Sequence, residues 1–253
     1  MRILILGGST EASALARLLA TDSRFDATLS LAGRTASPMP QPIQVRTGGF
    51  GGASGLACHL RQEHVGILVD ATHPFASGMS RNAIEAAAAT NIPFLAIERP
   101  AWKREPEDNW IDVADLAAAV TAVGTKPRTV FCGMGRLALP ELRAAPQHRY
   151  IVRLIDMPET PHALPNAIII TARGPFTTKD DIRLFLEHGV QAVLAKNSGG
   201  TPTISKIEAA RALGVPVYMV RRPPIPPRPT VSTPEEAMAW LAQHYDCLKR
   251  RGV

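Results

Sequence analysis

Short apolar runs alternate with alanine- and leucine-rich segments of helical length along the whole chain, and that rhythm admits few folds. Arg2–Leu6, 27–31, 43–46, 66–69, 93–97 and Trp110–Val113 read as strands, with helices at 10–21, 55–64 and 74–89 between them. Pro74 opens the last of these, because a first-turn proline forfeits no helical hydrogen bond. After the turn-rich Gly124-Thr125-Lys126-Pro127 the rhythm restarts. Strands are predicted at Thr129–Cys132, 150–155, Ala167–Thr171, 190–195 and 216–220, and helices at 137–144, 179–188 and 202–213. Residues 223–229 hold five prolines and read as an extended connector, followed by a closing helix over 234–248. Continuous apolar strands joined by helices belong to parallel sheets covered on both faces. The expected class is α/β, with two Rossmann-like doubly wound parallel-sheet domains, residues 1–125 and 126–253, facing a central cleft. Ligands of such sheets sit at the carboxyl ends of the strands.

The hydrophobic fraction of 45% supports sizeable cores, and an aromatic fraction of only 5% disfavours a β-sandwich. A net charge of +6 raises the question of nucleic acid, but the basic residues are scattered and few aromatics are available to stack on bases. Lys249-Arg250-Arg251 reads as a solvated tail. No nucleic-acid partner is expected; a small acidic ligand explains the same excess if the cations converge on one site. Cys58, Cys132 and Cys247 are odd in number and far apart, as in a reducing compartment, and His59 and His64 lack the spacing of helix-borne metal ligands. The chain runs straight into a strand without a charged leader and has no apolar stretch of spanning length. A soluble, cytoplasmic, metal-free monomer without a membrane partner is the expectation.

Three motifs carry candidate chemistry, each with a plainer alternative. The first is Gly7-Gly8-Ser9-Thr10-Glu11-Ala12, directly after the first strand. A glycine turn there lets backbone N–H groups approach a pyrophosphate, although Ser9 and Ala12 replace two glycines of the G-x-G-x-x-G fingerprint. The alternative is a turn in which Ser9 or Thr10 caps the helix. The second is Gly33-Arg34-Thr35 after the second strand, where an acid would mark NAD and an arginine suits the 2′-phosphate of NADP. A solvated loop arginine is the alternative. The third is Asp70-Ala71-Thr72-His73-Pro74-Phe75-Ala76, which brings an acid, a hydroxyl and an imidazole to the end of a buried strand. These could flank a nicotinamide or move a proton, or Asp70 and Thr72 could simply cap a helix. Arg99, Arg173, Lys196, Lys206 and Arg221 also follow strand ends, and converging Arg and Lys groups suit several carboxylates.

In order, these segments resemble the precorrin-6A reductase family of cobalamin biosynthesis. The resemblance rests on the three motifs together with Glu98-Arg99-Pro100-Ala101-Trp102, Lys196-Asn197-Ser198-Gly199-Gly200, Lys206 and the Gly214-Val215-Pro216-Val217 entry ending at Arg221-Arg222-Pro223. It implies NADPH-dependent reduction of one double bond of the polycarboxylate tetrapyrrole precorrin-6A, giving precorrin-6B, or of the cobalt-bearing analogue on the anaerobic route. On that basis residues 1–125 would bind NADPH. Gly7, Gly8, Ser9, Thr10 and Glu11 would lie at the pyrophosphate and ribose, Gly33, Arg34 and Thr35 at the 2′-phosphate, and Asp70, Thr72 and His73 beside the nicotinamide. Residues 126–253 would bind substrate, whose carboxylates would meet Arg99, Arg173, Lys179, Lys196, Ser198, Lys206 and Arg221. His73 is the candidate catalytic acid, and the segment 102–110 a candidate lid. Two rivals stand beside this reading. One is a short-chain-dehydrogenase-like reductase, whose Tyr-x-x-x-Lys spacing occurs only at Tyr245 and Lys249. The other is a non-catalytic NADP sensor or tetrapyrrole carrier.

Overall fold

The structure, a computed structural model, describes residues 1–33, 38–157, 164 and 166–250, without the side chains of Leu248 and Arg250. Two compact units emerge: residues 1–100 with 223–253, and residues 101–222. Unit 1 begins with β1 (Arg2–Leu6), α1 (Thr10–Leu19), β2 (Asp26–Leu31), β3 (Gln44–Thr47), α2 (Gly52–Gln62), β4 (Ile67–Asp70), α3 (Ser77–Thr90) and β5 (Phe94–Ile97). The chain then builds unit 2 from β6 (Trp110–Val113), α4 (Leu116–Val123), β7 (Thr129–Cys132), the short α5 (Leu139–Leu142), β8 (Arg149–Leu154), β9 (Ala167–Thr171), α6 (Thr178–His188), β10 (Ala192–Lys196), α7 (Ser205–Ala212) and β11 (Val217–Val220). It returns to unit 1 with β12 (Thr230–Val231) and α8 (Pro234–Arg250).

Each unit carries a six-stranded sheet in which every pairing is parallel. The orders are β12-β5-β4-β1-β2-β3 and β6-β11-β10-β7-β8-β9. Read from the far edge, the first is the 3-2-1-4-5-6 order of a dinucleotide-binding sheet, with β12 as sixth strand. The second repeats that order with β6 in the sixth place. The order reverses between β1 and β4 in one unit and between β7 and β10 in the other, so a ligand crevice is expected at each reversal.

The boundary expected at residues 125 and 126 is corrected by these pairings. Trp110–Val113 pairs with β11, and Thr230–Val231 pairs with β5, so each edge strand belongs to the sheet of the other predicted half. The closing helix follows β12 into unit 1, where Ala237 and Leu241 are fully buried in the core with Leu15, Leu19 and Phe25. Sequence neighbours usually share a sheet, which made the wrong division the natural one.

The central strands are apolar on both faces. Ile3 and Ile5 contribute to one core of unit 1, Leu4 and Leu6 to the other, and all four are at most 2% exposed. In unit 2, Phe131, Ile151, Val193 and Met219 line a core with Phe185 and Ile207. Burial of such strands at roughly 25 cal/mol per Å² of apolar surface holds the sheets rigid and leaves their C-terminal loops to carry function.

Candidate functional site

The carboxyl ends of β1, β4 and β5 are adjacent in the sheet and gather the first and third motifs. After β1 the chain turns through Gly7, whose N–H donates to the Ser30 carbonyl at 2.8 Å. A Cβ there would lie 2.6 Å from Leu29 Cδ1, and Gly8 has φ +116°, so side chains are disfavoured at both positions. Ser9 is the N-cap of α1: its Oγ accepts from the Ala12 N–H at 3.1 Å and donates to the Ala71 carbonyl at 2.6 Å. One hydroxyl thus closes the helix start and ties the glycine turn to the loop beyond β4. The capping alternative is correct for the Ser9 side chain; the backbone of the turn is what an anionic group can approach.

Asp70 ends β4 and is 2% exposed. Its Oδ1 accepts from the Thr72 N–H (3.1 Å) and Oγ1 (2.7 Å), while Oδ2 is buried without a partner. Neither residue caps a helix, because α3 starts only at Ser77 with Ala76 as an N-cap that makes no side-chain bond. The first-turn proline signal at Pro74 therefore placed the helix three residues early. His73 Nδ1 accepts from the Phe75 N–H at 3.2 Å, which puts the proton of the neutral ring on Nε2. A partnerless buried carboxylate oxygen at the strand-order reversal is unusual, since such an atom normally costs about 1–3 kcal/mol.

Arg99, expected among the substrate carboxylates, lies instead beside the glycine turn. It pairs with Glu11 at 2.8 Å, and the side chains are 12% and 17% exposed. Thr10 Oγ1 donates to the same carboxylate oxygen at 3.1 Å. Gly33, with φ +72°, ends the second motif's described part; Arg34 and Thr35 lie outside the described residues.

In unit 2, Arg173 follows β9, Lys179 lies in the first turn of α6, Lys196 ends β10 and Arg221 follows β11. Arg173, Lys179 and Arg221 are exposed. At about 4.8 Å per strand, the ends of β9 and β11 are roughly 19 Å apart, too far to serve one carboxylate. Lys206 and Ser198 are only 5% and 6% exposed. Lys206 Nζ donates to the Thr203 carbonyl and lies 4.7 Å from the Trp102 ring centroid. Ser198 is held through its backbone, its N–H donating to the Lys196 carbonyl at 2.7 Å.

Several contacts were not predicted from the sequence. Asn197 accepts from the Trp102 N–H at 2.8 Å and donates to its carbonyl at 3.0 Å. Trp102 Nε1 donates to the Gly200 carbonyl, also at 2.8 Å. Arg222, not Arg221, clamps this loop, donating to the Asn197 and Ser198 carbonyls at 2.9 and 3.0 Å. The predicted lid over 102–110 is pinned to unit 2 at both ends, since the Asp108 side chain, 1% exposed, pairs with Arg211 at 2.9 Å. Gly133-Met134-Gly135 follows β7 as Gly7-Gly8 follows β1, a signal legible in the sequence. Below it, burial pushes the Cys132 thiol up to about 11. A buried network joins Arg153, Asp181 and Ser205, with the Arg153 guanidinium 4.0 Å from the Phe176 ring. Only long-range pairing reveals it.

Among the described residues no group of His, Cys, Asp and Glu side chains could hold a metal ion, and no helix is long and apolar enough to cross a membrane. The Tyr245–Lys249 pair of the dehydrogenase-like rival lies on α8, and Tyr245 packs against Phe25 at 5.7 Å.

The precorrin-6x reductase CbiJ/CobK family matches residues 2–242. A precorrin-6A reductase of Rhodobacter capsulatus is 48% identical over 243 residues, 96% of each chain. A cobalt-precorrin-6A reductase of Priestia megaterium is 31% identical over 252 residues, 94% of this chain and 97% of its own. A solved structure described as CobK precorrin-6A reductase superimposes with a TM-score of 0.91 at 48% identity, covering 96% of this chain and 97% of that one.

Proposed function

The chain belongs to the precorrin-6x reductase CbiJ/CobK family, and from that premise we propose that unit 1 binds NADPH and unit 2 binds the polycarboxylate tetrapyrrole. The reaction is the reduction of precorrin-6A to precorrin-6B, an oxidoreductase step on a carbon–carbon double bond. A nicotinamide nucleotide supplies hydride to one ring carbon, and a proton is added to its neighbour. The metal-free substrate is favoured because the relative named for it is 48% identical, whereas the relative named for the cobalt-bearing substrate is 31% identical. This biosynthetic role suits the cytoplasm and needs neither nucleic acid nor a partner subunit.

The observation that carries the cofactor reading is the partnerless Asp70 Oδ2 at the reversal between β1 and β4, beside a glycine turn that Ser9 fastens to Ala71. The residues present fit a dinucleotide. Gly7 and Gly8 open the backbone to the pyrophosphate, and Ser9 holds the turn in that shape. Thr10 and Arg99 restrain the Glu11 carboxylate, which would otherwise repel phosphate at the helix start. Asp70, positioned by Thr72, accepts a donor of the nicotinamide side. Gly33, Arg34 and Thr35 take the 2′-phosphate. Arg173, Lys196 and Arg221 at the strand ends of unit 2, with Lys179 in the first turn of α6, spread positive charge as a ligand with several carboxylates requires. Lys206 and Ser198 act there by holding the loop after β10. His73 is the side chain best suited to deliver the proton, from Nε2 of the imidazolium, a form in which Nδ1 gives up the Phe75 N–H.

Arg34→Ala tests the cofactor assignment. The KM for NADPH should rise at least tenfold more than that for NADH, following the loss of a charge-assisted contact. Equal effects on both would remove Arg34 from the 2′-phosphate site.

A further inference from the structure

The glycine-rich segment Thr47-Gly48-Gly49-Phe50-Gly51-Gly52, between β3 and α2, has no role in the account above. It lies at the carboxyl end of β3, next to β2, on the side of a dinucleotide sheet where the adenosine ribose is recognised. Arg46 stands opposite Ser30 in the register of β2 and β3. Its guanidinium donates to Ser30 Oγ at 3.0 Å and to the Gly48 and Gly49 carbonyls at 2.9 and 3.3 Å, and lies 3.9 Å from the Phe50 ring centroid. Phe50 is fixed in turn. A Cβ on Gly55 would fall 1.7 Å from the Phe50 carbonyl oxygen, and the Phe50 ring packs at 5.1 Å against His59. The turn after β2 touches the same place, since a Cβ on Gly33 would lie 3.2 Å from Thr47 Cγ2.

All of Arg46's bonding partners among the described residues are neutral, and no carboxylate compensates its charge. A half-buried guanidinium held rigid in this way, at this end of the sheet, is organised for an anion. We propose that Arg46, stacked on Phe50, is a specificity-determining residue that binds the 2′-phosphate of NADPH and sets the preference over NADH. The inference rests on the NADPH reading and names a residue that reading did not contain.

The test is calorimetric binding of adenosine 2′,5′-bisphosphate and of AMP, which differs only in lacking the 2′-phosphate, to the full chain. The wild-type protein should prefer the bisphosphate. Arg46→Gln should weaken the bisphosphate by about tenfold or more while changing AMP by less than about threefold. Arg46→Lys keeps the charge but loses the planar fork to the turn, and should retain part of the preference. A wild-type protein that binds both ligands equally would overturn the NADPH reading together with this proposal. A wild-type preference that survives intact in Arg46→Gln would overturn the proposal alone. So would equal losses of both ligands in the two variants, which would make Arg46 only a brace for the turn.

Discussion

Asp70→Asn separates a structural carboxylate from one held for a ligand. The substitution preserves the shape of the side chain, and Asn Oδ1 can still accept from the Thr72 N–H and Oγ1. What changes is the other terminal atom, which is buried and partnerless in the protein alone. Replacing a buried oxygen that bonds nothing should leave the unliganded protein within about 1 kcal/mol of wild type. The bound state should suffer instead. A hydrogen bond to a charged group contributes about 1.5–3 kcal/mol, so NADPH should bind roughly 10- to 150-fold more weakly. At about 100 times the wild-type Kd, NADPH stabilises the native protein by about 2.7 kcal/mol; a 30-fold weaker Kd cuts that to about 0.9 kcal/mol. With about 2–4 °C of Tm per kcal/mol, scanning calorimetry should show a ligand-induced shift of about 5–11 °C in wild type and about 2–4 °C in the variant. An unchanged shift, accompanied by a loss of more than about 2 kcal/mol without ligand, would make Asp70 a fold residue and refute the reasoning.

Asp181→Ala should cost about 3–5 kcal/mol in denaturant unfolding, because it strands the Arg153 guanidinium, 10% exposed, inside unit 2. Adding Arg153→Met should recover most of that loss; no recovery would mean that packing, not charge, is at stake. The Cys132 thiol is pushed up to about 11 in the folded protein from 9.0, so the folded state binds the extra proton between those values. Stability should therefore fall as pH rises through about 9 to 11, by up to about 2–3 kcal/mol, and Cys132→Ala should flatten that slope. A slope unaltered by the substitution would assign the alkaline loss to other groups. His73→Ala should lower kcat by about a hundredfold with little change in the KM for NADPH, and wild-type kcat across neutral pH would remove it as the acid.

The sequence disclosed the strands because a strand covered on both faces is written as an unbroken apolar run, as in Ile3-Leu4-Ile5-Leu6 and Ile67-Leu68-Val69. Order within a sheet is a different matter. Trp110–Val113 was visible as a strand, yet only its pairing with β11 shows that the chain has already entered unit 2. Thr230–Val231 was hidden by its shortness and by the prolines before it. At the candidate site, the glycine turn and the acid at the end of β4 were legible because their chemistry is local. The pairing of Arg99 with Glu11 was not legible, because the two are 88 residues apart in sequence. Arg222 was passed over for Arg221 because nothing in the sequence says which of two neighbouring arginines turns inward. Lys206 was legible as a cation near a strand end, but its burial over Trp102 is something charge alone does not suggest.

NADPH-dependent reduction of precorrin-6A can be followed in the near-ultraviolet absorbance of NADPH with purified protein and enzymatically prepared precorrin-6A. Oxidation should depend on substrate and yield a tetrapyrrole product heavier by two hydrogens. Tight NADPH binding without oxidation, by precorrin-6A or its cobalt-bearing analogue, would contradict it.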